Sequence, residues 1–170
     1  MMMLKKCFCI VFTILISSCG YSPLYKNKFY GSIEGELYLT KILPVQGDTG
    51  QYGQILRNYL YSKMNPYGSP DRPRYSLEIT LIKPFIVEKA YKTDETATLA
   101  TVTQKANFIL RDYNTKDILL DSNTSVISSY NVLIQAYATD VSKEYTIERN
   151  LQNLSENIVM RLSLFFKERK

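Results

Sequence analysis

The chain has 170 residues, with 21 basic against 16 acidic side chains and a formal net charge of +5. A chain of this size suits one domain rather than two, and so mild a positive excess excludes the strongly basic class of nucleic-acid-binding proteins. Histidine is absent and there are three cysteines, so the commonest general base is missing and the usual zinc ligands are scarce.

The N-terminal segment is typical of a bacterial export signal. Lys5 and Lys6 form a basic start, residues 7–16 form an uncharged apolar run, and two serines follow. The run is about ten residues long, as in the apolar region of a signal peptide, whereas a helix needs roughly 20 residues to cross a bilayer. We therefore predict a cleaved signal peptide over residues 1–18.

Cys19, placed directly after Ser17 and Ser18, indicates a lipoprotein signal. In such a signal the small residues fit the peptidase groove, and the cysteine thiol takes a diacylglyceryl group, whose acyl chains are fatty acids such as palmitate. The cysteine then becomes the new N-terminus. Only a thiol is nucleophilic enough among the side chains here to suit that transfer. The alternatives are a plain secretory signal with an incidental cysteine, or an apolar N-terminus that is not cleaved.

Lipidation of Cys19 would leave no free thiol, because Cys7 and Cys9 are lost with the signal. The exported domain then has no disulfide and depends on its hydrophobic core. Loss of the two signal lysines leaves 19 basic against 16 acidic residues. We assign residues 19–30 to a lipidated N-terminus and tether, and residues 31–170 to a single α+β domain.

The first predicted elements of that domain are a strand and a helix. The strand includes Leu37, Leu39 and Ile42 and ends at Pro44, and residues 47–50 form a turn with helix-capping residues. The helix that follows has apolar residues spaced by three and four. They are Tyr52, Ile55, Leu56, Tyr59, Leu60 and Met64.

Three further strands are predicted from the alternation of apolar and polar residues. Their ranges are 75–91, 97–113 and 118–130. The first contains a bulge or borders the sheet edge, because Ile82 breaks the alternation and Pro84 interrupts the ladder. Turns at residues 93–96 and 114–117 give short connections, which predict an antiparallel meander.

The last element is a long helix from about Tyr137 to the C-terminus. Its recurring apolar positions are Val141, Tyr145, Leu151, Leu154, Ile158, Leu162 and Phe165. About 30 residues at 1.5 Å each would span roughly 45 Å. The fold class is therefore α+β. We predict a two-layer sandwich, with two helices packed on one face of a four-stranded, mostly antiparallel sheet. The other face is then exposed or pressed on a partner.

The sequence offers little catalytic chemistry, and we expect neither an enzyme nor a bound cofactor or metal. Binding residues are easier to suggest, because basic side chains around the strand ends suit phosphate groups. These candidates are Lys83, Lys89, Lys92, Arg111 and Lys116. The alternative is a solvated edge that keeps neighbouring sheets apart.

Tyrosine is abundant, with 14 residues and no tryptophan. Its apolar ring and polar tip suit a half-dry protein interface. The candidates are Tyr91, Tyr113, Tyr130 and Tyr137, and packing in the core is the competing interpretation.

Several segments of the chain match a known pattern in the same order. They are the mature start Cys19-Gly20-Tyr21 with Pro23-Leu24-Tyr25, the helix segment Gln54–Leu60, the strand pattern Ala106-x-Phe108-x-Leu110-x-Asp112, and the Tyr137-Ala138 start of the last helix. Together they resemble the LptE family of lipopolysaccharide-assembly lipoproteins, in its alphaproteobacterial type. The resemblance covers nearly the whole mature chain.

The resemblance implies an outer-membrane lipoprotein on the periplasmic side, anchored by its N-terminal lipid and without enzymatic activity. It also implies that the protein plugs the LptD β-barrel, aids assembly of that barrel and assists passage of lipopolysaccharide to the cell surface. Family members contact lipopolysaccharide through basic residues, for which the five basic residues above are the candidates. The alternative is a lipid-binding or structural envelope lipoprotein unrelated to lipopolysaccharide export. No nucleic-acid partner is expected.

Overall fold

A computed structural model describes residues 32–47, 50–90 and 97–169. In chain order its elements are α1 (Ile33–Tyr38), β1 (Thr40–Ile42), α2 (Gln51–Met64), β2 (Tyr75–Ala90), β3 (Ala97–Asp112), β4 (Ile118–Asn131) and α3 (Ala136–Glu168). The predicted signal peptide and tether lie outside the described residues, and so do Cys19, Lys92 and the turn predicted before β3.

The four strands form one mixed sheet in the order β1-β2-β3-β4. β2, β3 and β4 are antiparallel neighbours, which confirms the predicted meander, and β1 pairs with β2 in parallel. At one end, here called the hairpin end, Ala90 pairs with Ala97. At the other, the turn end, the Asp112 amide donates to the Asp117 carbonyl over 3.0 Å. β2 has 16 residues, so the two ends lie roughly 50 Å apart.

The core lies between one face of the sheet and the helices α2 and α3. Alternate residues of each strand face the helices, as a period of two requires. The fully buried side chains include Leu56, Leu60, Leu77, Ile79, Phe108, Leu110, Leu151, Leu154 and Ile158. The predicted two-layer α+β sandwich is confirmed, with two long helices on one face of a four-stranded, mostly antiparallel sheet.

A short helix, α1, takes the place of the first part of the strand predicted near Leu37. Ser32 caps it, since the Ser32 Oγ accepts a hydrogen bond from the Gly35 amide over 3.1 Å, and two glutamates lie in its first turn, where the helix dipole favours negative charge. Ile33 and Leu37 are four residues apart and therefore share one helical face. The predicted strand is wrong before Thr40, because that spacing and that cap favour a helix.

α3 has 33 residues and is about 50 Å long, the length of the sheet. Its buried large apolar side chains are Ile147, Leu151, Leu154, Ile158, Leu162 and Phe166. Val141 and Tyr145, predicted in the same stripe, are 51% and 66% exposed, so that part of the prediction is wrong. Four and seven residues before Ile147 the same stripe reaches Lys143 and Asp140. The first turns of α3 therefore offer the core no large apolar residue.

β2 contains an irregularity at the predicted place. The pairing register shifts between Ile82 and Phe85, with Pro84 between them. Gln104 of β3 is fully buried, and its Nε2 donates to the Ile82 carbonyl over 2.7 Å. This side chain supplies a hydrogen bond where Pro84 has no N–H to offer. The predicted bulge is confirmed.

Candidate partner-binding surface

Arg111 and Lys116, two of the predicted basic contacts, lie at the turn end and are engaged in internal bonds. The Arg111 Nε donates to Glu78 Oε1 over 3.1 Å. The Lys116 Nζ donates to the Tyr113 carbonyl over 2.6 Å and lies 4.4 Å from the centre of the Tyr113 ring. Contact with an anionic ligand would therefore compete with bonds that these cations already make.

The predicted basic residues do not converge on one site. Lys83 is exposed beside the β2 bulge, while Arg111 pairs with Ser76, seven residues earlier in β2 and roughly 23 Å away along the strand. The side chain of Lys89 and all of Lys92 lie outside the described residues. Contact with lipopolysaccharide through these residues stays a prediction.

Polar contacts on the outer side of the sandwich tie α2 to α3. The Tyr52 hydroxyl donates to Glu144 over 2.9 Å, and the Lys63 Nζ donates to Glu156 over 3.1 Å. The two helices therefore run in the same direction, from the hairpin end to the turn end. Partial burial, and then the hydrogen bond and charge of Glu144, raise the pKa of Tyr52 to about 12. Its hydroxyl thus remains a donor at any physiological pH.

Two surface clefts have little catalytic character. One, of about 490 Å³, lies on the open face of the sheet, the face away from the helices. Its lining is mostly polar: Gln46, Glu78, Thr80, Asn107, Ile109, Asp121, Ser122 and Asn123. The other, of about 380 Å³, lies between α2 and α3 beside Tyr59 and Glu148. Both clefts are shallow, and the polar lining of the first suits water better than an acyl chain.

Two negative findings apply to residues 32–47, 50–90 and 97–169. No group of three or more cysteine, histidine, aspartate or glutamate side chains in those ranges is placed to hold a metal ion. None of the helices in them combines the length and apolarity needed to cross a membrane.

Exposed apolar side chains are concentrated toward the hairpin end. We call this set the apolar surface. It consists of Ile82, Phe85, Val87, Ile127, Leu133, Ile134, Tyr137, Val141 and Tyr145. Exposed apolar patches on a folded protein mark sites of protein or membrane interaction, and this set divides into two such patches.

The apolar surface has one part on the open face of the sheet. Thr103 of β3 pairs with Phe85 on one side and Ile127 on the other. Phe85 and Ile127 therefore flank a single row across three strands, and both are 65% exposed. The sheet thus offers this row to a partner.

The other part of the apolar surface lies on the start of α3. The buried residues of α3 begin at Thr146, ten residues after the helix begins at Ala136. Tyr137 is 82% exposed, and Val141 and Tyr145 follow it at four-residue steps. These turns form without contributing to the core, and they carry large side chains that a purely solvated helix would lack.

The chain reaches the domain at the opposite end. The Arg74 amide, just before β2, donates to the Leu39 carbonyl over 2.9 Å, and Arg74 also pairs with Glu36 over 3.1 Å. α1 therefore lies at the turn end. Any anchor attached before Ser32 joins the domain at the end away from the apolar surface.

The tyrosine candidates divide between the two interpretations. Tyr130 is buried, in agreement with core packing, and Tyr137 is exposed. Tyr113 contacts Lys116, and Tyr91 lies outside the described residues. Sequence reasoning missed Phe85 and Ile127, because an exposed face of a sheet has the same period of two as a buried face.

Comparison with solved structures identifies the class of fold. A protein of Caulobacter crescentus described as a lipoprotein matches with a TM-score of 0.62 and 16% identity, covering 79% of this chain and 96% of that one. Lipoprotein B of Nitrosomonas europaea matches with a TM-score of 0.55 and 10% identity, over 81% of this chain and 90% of that one. Rare lipoprotein B of Shewanella oneidensis matches with a TM-score of 0.53 and 9% identity, over 73% of this chain and 92% of that one.

These similarities show a shared fold. No protein-family model matches the sequence, and no curated protein matches it. The chain therefore has the α+β sandwich found in several bacterial proteins described as lipoproteins.

Proposed function

We propose that this protein is a lipid-anchored lipoprotein on the periplasmic side of the outer membrane. In this proposal it plugs a β-barrel of the LptD type, assists assembly of that barrel and helps it insert lipopolysaccharide at the cell surface. The basis in sequence is the lipoprotein signal at Cys19 and the resemblance to the LptE family. The fold shared with proteins described as lipoproteins is consistent with this class.

The observation that carries the proposal is the position of the apolar surface. It extends from Ile82, roughly 23 Å along β2 from the turn end, to the hairpin end, roughly 50 Å away, whereas the N-terminal segment joins the domain at the turn end. A lipoprotein working on the membrane lipid beside its own anchor would place its apolar side chains near that anchor. A plug held at one end and inserted at the other needs the arrangement that this chain has.

The proposal is tested by substituting the apolar surface with acidic residues. Tagged full-length protein is expected to co-purify from detergent-solubilised outer membrane with one β-barrel protein in comparable molar amount. The double variant Tyr137→Glu, Val141→Glu is expected to recover at least about tenfold less barrel, because an unpaired carboxylate in a desolvated contact costs several kcal/mol and 1.4 kcal/mol is a factor of ten. Mass spectrometry of the eluate measures the ratio.

Tyr67→Glu is the matched control. Tyr67 is 72% exposed but follows α2 at the turn end, so its variant is expected to recover as much barrel as the unmodified protein. The proposal fails if no barrel co-purifies with the unmodified protein, or if the double variant and the control recover equal amounts.

A further inference from the structure

The sheet has two edges of different kinds. β1 has three residues and pairs only with the start of β2, from Tyr75 to Leu77. β4 is the opposite edge, with 14 residues, and among the described residues β3 is its one paired neighbour. Its register with β3 is continuous from Leu120 to Asn131. A long regular edge presents unpaired backbone groups to any extended chain that comes near.

Natural sheets prevent unwanted strand pairing at such edges with charges, proline or bulges. The β2 edge has these features and the β4 edge lacks them. The exposed part of β2 contains Lys83, Pro84, the register shift and Glu88. Residues 122–131 of β4 read Ser-Asn-Thr-Ser-Val-Ile-Ser-Ser-Tyr-Asn and include no charge, proline or glycine. The β4 edge is therefore chemically open to strand pairing, while the β2 edge is not.

Two partly exposed apolar side chains of α3, Met160 and Leu164, lie above the β4 edge, and we call this pair the ledge. The Arg161 Nη1 donates to Ser122 Oγ over 2.9 Å, and Asn150 Oδ1 accepts from Ser128 Oγ over 2.6 Å, so this side of α3 faces β4. Leu164 follows Arg161 by three residues and shares that side. Leu164 and Met160, four residues apart, are both about half exposed.

We propose that the β4 edge binds an extended segment of a partner protein as a fifth strand of the sheet. Backbone hydrogen bonds to β4 would supply most of the affinity, and alternate apolar side chains of the segment would pack against Leu164 and Met160. The segment belongs to the β-barrel partner, and this source of the strand rests on the proposed function.

A second copy of this chain fits the β4 edge less well. Two β4 strands related by a two-fold axis pair antiparallel, and full overlap centres between Thr124 and Ser125. Ile118 of one copy then lies opposite Asn131 of the other, so the ledge meets residues 125–131 of its neighbour, which include three serines and one asparagine. An edge contact also buries less surface than the roughly 800 Å² per partner typical of stable dimers. It is better matched to a partner that the apolar surface already holds.

The experiment is site-specific photo-crosslinking in cells that contain the full-length, processed protein. p-Benzoylphenylalanine replaces Asp121, Asn123 or Ser125 in turn, which are alternate exposed residues of β4. Each is expected to crosslink to the barrel protein, and the crosslinked partner residues are expected to advance by two for each step of two along β4. The same probe at Thr80, an exposed residue of β2, is expected to give no crosslink to that segment.

Crosslinks to a second copy, to the protein's own N-terminal segment or to partner residues without a two-residue step overturn the proposal. If a barrel co-purifies but the β4 positions give no crosslink, the edge proposal is overturned and the proposed function stands. If stepped crosslinks run along a protein that is not a barrel, strand addition is supported and the proposed function is contradicted.

Discussion

Cys19→Ser is expected to abolish the incorporation of labelled palmitate into this protein and to remove it from the outer membrane. A serine hydroxyl is a much weaker nucleophile than a thiol, so the diacylglyceryl group has no acceptor. Each buried methylene of an acyl chain contributes about 0.8 kcal/mol, and several chains together make attachment effectively permanent. Metabolic labelling and fractionation of the envelope measure both effects.

The double variant Cys7→Ser, Cys9→Ser is the matched control for Cys19. Both residues lie within the predicted signal peptide, so labelling and location are expected to remain unchanged. Equal labelling of the Cys19 variant and the unmodified protein would show that the lipid is attached elsewhere or is not attached.

Phe108→Ala is expected to lower the free energy of unfolding by about 3–5 kcal/mol, a large share of the stability of a domain this size. Phe108 is 1% exposed, and it lies between Ile79 and Ser122 on the helix-covered face of β3. Its removal leaves a cavity that α2 and α3 can only partly close. Because the chain has no tryptophan, urea unfolding is best followed by far-UV circular dichroism.

Phe85→Ala tests the same truncation on the open face of the same sheet. Phe85 makes no core contact of comparable burial, since it is 65% exposed, and its variant is expected to change the unfolding free energy by less than about 0.5 kcal/mol. A similar loss in both variants would mean that the open face is packed in the isolated protein, which would contradict the apolar surface described above.

The sequence allowed prediction of the elements whose pattern is long and regular. Alternation from Tyr75 to Leu81 and the four-residue steps of Leu154, Ile158 and Leu162 reflect burial directly, because one face of each element enters one core. The bulge was also predictable, since Pro84 cannot donate to a ladder. The alternation, the helical spacing and the bulge are set by the local sequence, whichever element packs against them.

The parts of the sequence-based prediction that were wrong concern residues whose structure depends on tertiary contacts. Leu37 and Leu39 are two residues apart, a spacing compatible with a strand. The Ser32 cap and the packing of α1 at the turn end stabilise a helix there instead. Val141 and Tyr145 have core-like residue types, but they lie off the stripe of α3 that is buried from Ile147 onward. Hydrophobicity alone does not distinguish a side chain buried within the fold from one left for a partner.

The candidate site was predictable only in part for the same reason. Tyr137 was suggested as an interface residue from its chemistry and is exposed as an interface residue should be. The basic residues were grouped by type and by nearness in sequence, whereas Lys83 of β2 and Arg111 of β3 lie roughly 23 Å apart along the sheet. The exposed apolar residues at the start of α3 could have been identified by comparing their helical positions with those of the buried stripe, rather than by residue type.

Because the N-terminal segment joins the domain at the turn end, a lipid anchor on that segment would make a weak contact at the hairpin end enough for binding. Even fully extended, the residues from Cys19 to Ser32 span at most about 45 Å, and the sheet adds roughly 50 Å. A lipid-anchored molecule would therefore search a half-sphere of about 95 Å radius, which corresponds to a local concentration of about 1 mM. For a partner whose binding surface lies within that half-sphere, a contact with a Kd of about 0.1 mM would then be roughly nine-tenths occupied.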